Sequence, residues 1–466
     1  MPSFSGIHLA LQAILANQNA MEVVSHNVSN ANTAGYHRQK AVLTASVPQS
    51  TGGWISSNLS KSMGTGVMME SVYRYSMNFT DARYRDEIKE TARWDTEAKL
   101  LSMVESSMSE TSVDSISTRL DEYWGSWQAL AADPEDPALR LDVMSKGEAL
   151  ANSFNSRALR LENIRLDQNM AIVERVQDVN EMAVQIAALN KQISQVQATG
   201  GTPNDLLDKR DLILDELSRI AGATSYEQEN GHVNVSIGGH FLTIGTTPYR
   251  ITTTTNAENL VELQWEDGAT FQSLQGELLG LFHGRDETIV DQITRLDELA
   301  SALVTNVNAL HSTAYGMNNE TGYDFFESSG TTALSMRFNS TQITVDRVAT
   351  GSAADAPGDG NLAKQIAAIQ NALLFHGGTA TIKQVNNERI GSLALEVQRT
   401  KNLATDHGIV KEALNTQREE IAGVNLNEEA ANMVKYQMAY NAAARLMTTI
   451  DEMLDRVINN MGLVGR

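Results

Sequence analysis

The C-terminal part of the chain carries an apolar heptad repeat, and this repeat restricts the fold more than any other feature. Its members lie three and four positions apart, at Met433, Tyr436, Tyr440, Ala443, Met447, Ile450, Leu454, Val457 and Met461. Such spacing places the side chains along one narrow line of an α-helix, where they require a partner helix. We call this row the C-terminal seam and predict that its large members mediate assembly.

A second apolar row occupies the N-terminal part of the chain. This N-terminal stripe consists of Ile7, Leu11, Ile14, Met21 and Val28. An amphipathic helix buries its apolar face against another element, and the simplest partner is the C-terminal helix. We therefore predict that residues 1–45 and 425–466 form a terminal coiled coil that is built for assembly.

Three long helices are predicted between the ends, at 77–108, 116–131 and 138–197. The third should begin at Asp136 as the N-cap, with Pro137 at the first helical position, because proline has no N–H to leave unpaired there. Helical character returns at 274–310 and dominates again after about residue 361. These segments, together with their connections, form a helical body that we assign to 46–222, 273–318 and 361–424.

β character begins after Gly222. Asn230-Gly231 and Gly238-Gly239 are turn signals, and Val233, Val235 and Ile237 alternate between them. We assign 223–272 and 319–360 to a β-rich outer domain, with a possible strand at 343–345. We expect the insert to be an outward module with few essential contacts; the alternative is that it is simply part of the subunit's packing. The predicted fold is mainly α with a β-rich insert (α+β), and it is elongated.

Composition excludes several classes of function. The net charge of −21 disfavours a nucleic-acid partner, and the absence of cysteine excludes disulfides and thiolate metal sites. No apolar run is long enough to insert into a membrane, and the N-terminus lacks the pattern of a cleaved secretory signal. No nucleotide loop, nucleophile elbow or zinc-protease motif occurs, so we predict no catalytic residue, no cofactor and no metal.

Asparagine-rich segments flank the two terminal helices. Asparagine competes for backbone hydrogen bonds, so such a cluster ends a helix and sets the direction of the chain that leaves it. The segments 25–36 and 423–437 resemble the signatures found at the two ends of bacterial flagellar axial proteins. The residues that carry this resemblance are Asn27, Asn30, Asn32, Gly35, Tyr36, Asn425, Asn432, Tyr436 and Gln437.

Internal motifs narrow the resemblance to the hook-associated proteins of the hook–filament junction. The motifs lie at 204–211, 214–218, 276–281, 296–300 and 322–326, and the likeness is poor from 327 to about 388. This resemblance implies an extracellular structural subunit that is exported by the flagellar type III apparatus. It also implies self-assembly, contacts with the hook subunit and a second junction protein, and a cytosolic chaperone on the C-terminal helix.

Three alternatives remain at this stage. A hook or distal-rod subunit would share the terminal signatures but lacks the long helices predicted within 77–197. A secreted enzyme or adhesin would carry its activity in the insert, between 222 and 360. A cytoplasmic coiled-coil scaffold would explain the heptads but neither the asparagine-rich segments nor the motif at 204–211.

Overall fold

The structure is a computed structural model that describes residues 2–46, 66–108, 115–271, 275–456 and 458. Within these ranges the α-helices are α1 (Pro2–Ser29), α2 (Asn78–Ser107), α3 (Ile116–Ala132), α4 (Pro137–Ala198), α5 (Asn204–Ala221), α6 (Glu277–His283), α7 (Ile289–His311), α8 (Asn361–Ala368), α9 (Ile382–Ala422) and α10 (Leu426–Asp455). A π-helical turn joins α6 to α7. The helices predicted at 77–108, 116–131 and 138–197 are confirmed to within one or two residues.

Strands occur in three antiparallel groups. An N-terminal hairpin pairs β1 (Gln39–Ala45) with β2 (Val67–Arg74). A meander contains β3 (Thr224–Glu227), β4 (Val233–Ile237), β5 (His240–Ile244) and β6 (Thr247–Pro248), and a second hairpin contains β7 (Ile251–Thr255) and β8 (Val261–Trp265). The turns predicted at Asn230-Gly231 and Gly238-Gly239 connect β3 to β4 and β4 to β5.

Helix α4 runs through both cores of the body. It begins as predicted, with the Asp136 carboxylate accepting the Ala138 N–H at 2.8 Å and Pro137 in the first turn. Its N-terminal half packs into a core with α3, α7 and α8, and its C-terminal half packs into a second core with α5, α6 and the strands β4, β5, β7 and β8. At about 1.5 Å per residue, the helix is roughly 90 Å long, which makes the molecule elongated.

The expectation for 319–360 is wrong. This segment has no strand among the described elements, and Val345–Arg347 is a 3-10 turn. Phe325 and Phe326 are buried in the first core, so the segment belongs to the helical body. Asn308 of α7 binds the backbone there: its amide nitrogen donates to the Phe326 carbonyl at 2.8 Å and its oxygen accepts the Phe326 N–H at 2.9 Å.

The strands at 224–265 share a core with helices of the body, which favours the alternative that the insert is part of the subunit's packing over the expectation of an outward module. Their inward side chains share a core with α4 and α5, among them Val235, Leu242 and Leu263. Deleting them would expose the apolar faces of both helices to water. The sequence indicated the alternation in β4 but gave no sign of which helices cover its inner face.

The side chains of three asparagines of α4 form hydrogen bonds with the backbone of the strands. Asn169 accepts the N–H of Val261 at 2.8 Å. Asn180 accepts the N–H of Ile251 at 2.9 Å and donates to its carbonyl at 2.9 Å. Asn190 likewise accepts the N–H of Val233 and donates to its carbonyl. The three asparagines are eleven and ten residues apart, which puts them on one side of α4.

We predict that Asn190→Ala destabilises the fold. Asn190 is fully buried, and its loss leaves the Val233 N–H and the carbonyls of Val233 and Gly245 without their partner. The free energy of unfolding should fall by about 2–3 kcal/mol, as measured in urea. Gln195→Ala, at an exposed position of the same helix, is the control. An equal effect in both variants would contradict the role of Asn190.

Candidate assembly interface

The two terminal helices pack against each other. Gly6 of α1 lies against Ile450 of α10, where an added Cβ would meet the Ile450 side chain at 3.0 Å. The seam positions turn to the shielded side of α10: Ala443 is buried, and the others within the described range are partly buried, namely Met433, Tyr436, Tyr440, Met447, Ile450 and Leu454. Val457 and Met461 lie outside the described residues.

The N-terminal stripe does not supply the packing face of α1. The face of α1 that is buried consists of Ala10, Ala16, Asn17, Ala20, Val24 and Asn27. Ile7, Ile14 and Met21 are partly buried, whereas Leu11 and Val28 are exposed. The expectation that Leu11 and Val28 are covered by the partner helix is wrong within the subunit, and their contacts in an assembly stay a prediction.

Large apolar side chains remain on the outside of the helix pair. The exposed ones are Leu11, Leu15, Val28, Leu426, Val434, Met438, Leu446 and Met453. Within the described part of α10, only Glu429 and Ala443 are fully buried. The helix pair therefore has more solvent-exposed apolar surface than an ordinary surface helix.

A polar cluster at the base of the pair joins it to the body. Asn27, buried near the end of α1, donates to the Gln39 carbonyl at 2.7 Å and to Glu429 Oε2 at 3.0 Å. Its Oδ1 accepts the Gln39 N–H at 2.9 Å and the Tyr36 hydroxyl at 2.8 Å. We call the cluster the polar hub: Asn27, Tyr36, His37, Arg38, Gln39, Arg74, Arg85, Asp205, Asp208, Asp211, Asp215, Arg418 and Glu429.

Arg38 connects the hub to the start of α10. Its Nε donates to Glu429 Oε1 at 2.8 Å, and a terminal guanidinium nitrogen lies 2.6 Å from Glu428. The Arg38 N–H also donates to the Ala422 carbonyl at the end of α9, at 2.7 Å. The Glu429 side chain is only 2% exposed, so the loss of these partners would leave a buried carboxylate unpaired.

Helix α5 supplies an acidic stripe to the hub. Four carboxylates, spaced three or four residues apart, lie on one face of this helix: Asp205, Asp208, Asp211 and Asp215. Arg74 from β2 lies 2.7 Å from Asp208 and also pairs with Asp211. Arg85 from α2 lies 3.1 Å from Asp211 and 2.6 Å from Asp215. Ion pairs therefore link both strand β2 and helix α2 to α5.

Helix α9 and strand β1 complete the contacts of this stripe. Arg418 of α9 lies 2.6 Å from Asp215 and its guanidinium stacks over the Tyr84 ring at 4.2 Å. His37 donates its N–H to Asp208 at 3.1 Å, and Gln39 Nε2 donates to Asp205 at 2.9 Å. Every carboxylate of the stripe therefore has at least one partner from another element.

The charges of the hub shift the ionisation of its members. Burial disfavours the carboxylate of Asp211, but Arg74 and Arg85 outweigh it and hold its pKa below the ordinary value. Burial, together with the charges of Asp205, Asp208 and Glu429, raises the pKa of Tyr36. Tyr36 is thus held as a neutral hydrogen-bond donor to Asn27.

Besides Asn27 and Tyr36, which belong to the polar hub, three residues of the terminal motifs shape turns or helix ends. Gly35 has φ +73°, a left-handed conformation that favours glycine, and Asn425 caps α10 by accepting the N–H of Asn427 at 3.0 Å. Asn30 caps the end of α1 through the His26 carbonyl, at 3.0 Å. The structure does not bring the remaining four into the hub: Asn432 and Tyr436 are partly buried, and Asn32 and Gln437 are exposed.

Sequence reasoning missed the basic members of the hub. The acidic stripe was detectable, since its spacing matches one helical face within the motif at 204–211. The arginines that pair with it come from β2, α2 and α9, and no spacing in the sequence links these elements. Among the described residues, no group of three or more histidines and carboxylates could hold a metal ion. In that same part of the chain, no helix is both long and apolar enough to cross a bilayer.

Family models match three parts of the chain. The model described as the flagellar hook-associated protein FlgK helical domain matches residues 101–326. The model of flagella basal body rod proteins matches 7–37, and that of the rod FlgEFG protein C-terminal region matches 416–461. Asn27, Tyr36 and His37 of the polar hub therefore lie in the N-terminal match, Arg418 and Glu429 lie in the C-terminal match, and the acidic stripe lies in the helical-domain match.

Two curated relatives match along nearly the whole chain. The flagellar hook-associated protein 1 of Bacillus subtilis is 30% identical over 100% of this chain and 99% of its own. That of Escherichia coli is 26% identical over 97% of this chain and 99% of its own. The solved structure of the hook junction protein FlgK from Burkholderia pseudomallei superposes with a TM-score of 0.66, covering 73% of this chain and 100% of that one at 13% identity. This likeness shows a shared fold.

We predict that Asp211→Asn weakens the fold at neutral pH and reduces its acid sensitivity. At pH 7 the loss should be about 2 kcal/mol, less than for a fully buried pair because the Asp211 side chain is 23% exposed. A carboxyl with a depressed pKa stabilises the fold above the ordinary aspartate pKa, and this contribution disappears as the pH falls through the lower value.

The measurement is urea unfolding between pH 7 and pH 3. The stability difference between wild type and Asp211→Asn should shrink as the pH falls below about 4. Asp142→Asn, at an exposed position of α4, should track the wild type throughout. A difference that stays constant with pH would contradict the assignment of charge pairing to Asp211.

Proposed function

The chain belongs to the flagellar hook-associated protein 1 (FlgK) family, and we propose that it joins the flagellar hook to the filament by polymerising through α1 and α10. The family is one of structural flagellar components. The observation that carries the proposal is the uncovered apolar surface of the helix pair, above all on α10, where Val434, Met438 and Leu446 are exposed. Burying such a surface against identical subunits would stabilise an assembly.

The polar hub supports this proposal because it fixes the base of the pair. A helix pair that transmits force between hook and filament must keep a constant orientation on the body. The ion pairs of Glu429, Asp208 and Asp215 restrict that orientation, since a shift would leave charges unpaired. The large seam residues Tyr440, Met447 and Leu454 would keep the two helices in register.

The terminal signatures alone also fit a hook or rod subunit, since rod-protein models match both ends. The helical-domain match at 101–326 favours the junction. We further propose that the subunit passes through the flagellar type III apparatus and contacts the hook subunit and a second junction protein outside the cell. A cytosolic chaperone would cover the exposed apolar side chains of α10 before export.

We predict that Met438→Asp blocks assembly without unfolding the body. Met438 is 67% exposed, so the isolated subunit tolerates a charge there. In an assembly the same charge would be desolvated without a partner, at a cost of several kcal/mol. Cells that produce the variant should export soluble subunits and fail to retain filaments. Thr448→Asp, at a polar exposed position of α10, is the matched control, and normal filaments with Met438→Asp would refute the outer surface as an interface.

We also predict that both terminal helices are digested first in the isolated monomer. Ordering some eighty residues costs about 1–2 kcal/mol each for the backbone, and α10 buries only two residues completely in return. Limited proteolysis should leave a fragment that begins near residue 45 and ends near 425, whereas assembled subunits should resist. Terminal helices that survive equally well in the monomer would contradict this expectation.

A further inference from the structure

A small pocket lies where the two sheets of the β-rich region meet. It has a volume of about 240 Å³ and lies between β5 and the end of β8. The ring of His240 stacks on Trp265, with centroids 4.6 Å apart and an angle of 19° between the planes. Trp265 in turn contacts Phe271 at 5.5 Å and belongs to the second core. The floor of the pocket is therefore part of the packed interior.

Apolar side chains line this pocket and remain open to solvent. Phe241, Ile244 and Tyr249 are 42%, 40% and 41% exposed. Leu242 of β5 and Val235 of the neighbouring β4 are buried in the core, so Phe241 and Ile244 lie on the side of β5 that faces away from the core. A preformed apolar pocket with a few polar groups is the usual form of a ligand site.

Negative charge surrounds the pocket. Glu266 and Asp267 both line it, and Asp267 lies 3.2 Å from His240 Nε2 with 58% of its side chain exposed. Residues 224–271 contain six carboxylates and a single basic side chain of the lysine or arginine type, Arg250. The local field therefore attracts cations and repels anions.

We propose that this pocket binds a lysine or arginine side chain of a partner polypeptide. The aliphatic stem would pack on Phe241 and Ile244, while the cationic end would face the Tyr249 ring and the two carboxylates. Long basic side chains bury their stems on apolar surface in this way, and aromatic faces attract cations. The pocket lies on the β-rich region, away from α1 and α10, so it would serve a contact other than the terminal helix pair.

The test uses the full chain as a monomer, labelled with 5-fluorotryptophan. The fluorine signal of Trp265 is assigned with Trp265→Phe. The probes are two acetylated, amidated tripeptides, Ala-Lys-Ala and its isosteric norleucine counterpart. We expect a saturable shift of the Trp265 signal with the lysine peptide and roughly fivefold weaker binding or more with the norleucine peptide. Added salt should weaken only the lysine peptide.

Two variants and a control locate the site. Tyr249→Ala should weaken lysine-peptide binding by about fivefold, and Glu266→Gln should reduce its salt dependence. Tyr226→Ala removes another exposed ring of the same sheet that does not line the pocket, and it should bind like the wild type. Equal binding of both peptides, binding of a neutral monosaccharide such as glucose in preference to lysine, or no saturable shift would each overturn the proposal.

Discussion

The hydrogen bond between Asn27 and Glu429 closes a chain loop of 402 residues, and the position of the terminal helices depends on it. It brings the end of α1 and the start of α10 to one point, where Arg38 neutralises the same carboxylate. Both helices must then leave the body side by side. A contact between uncharged groups could shift along the helices. A buried carboxylate that loses its partners is strongly destabilising, so the end of α1 and the start of α10 meet in one relative position.

Paired polar groups also connect the elements of the body. Four segments distant in sequence converge on the acidic stripe of α5, and asparagines of α4 hold the backbone of the strands. Each contact satisfies a group that burial would otherwise penalise. The long α4 contributes side chains to both cores and so links them.

The terminal helix pair depends on apolar contacts rather than on paired polar groups. Small side chains such as Ala10 and Ala20 lie on the buried face of α1, while Met438 and Leu446 of α10 are exposed. Apolar contacts are non-directional and their gain scales with buried area, so they suit an interface that forms only when many copies come together. Specific polar contacts fix the base of the pair, and its outer surface remains available for neighbours.

The sequence by itself determined the helices, the β character after Gly222 and the need of both ends for partners, because periodicity and capping act over a few residues. It also contained the acidic stripe of α5, although not its partners. Only the tertiary structure decided that alanines form the packing face of α1, that 319–360 joins the helical core, and that the strands share a core with α4. These outcomes depend on which surfaces meet, and residues such as Arg74 and Asp208, separated by 134 positions, share no local pattern that could reveal their pairing.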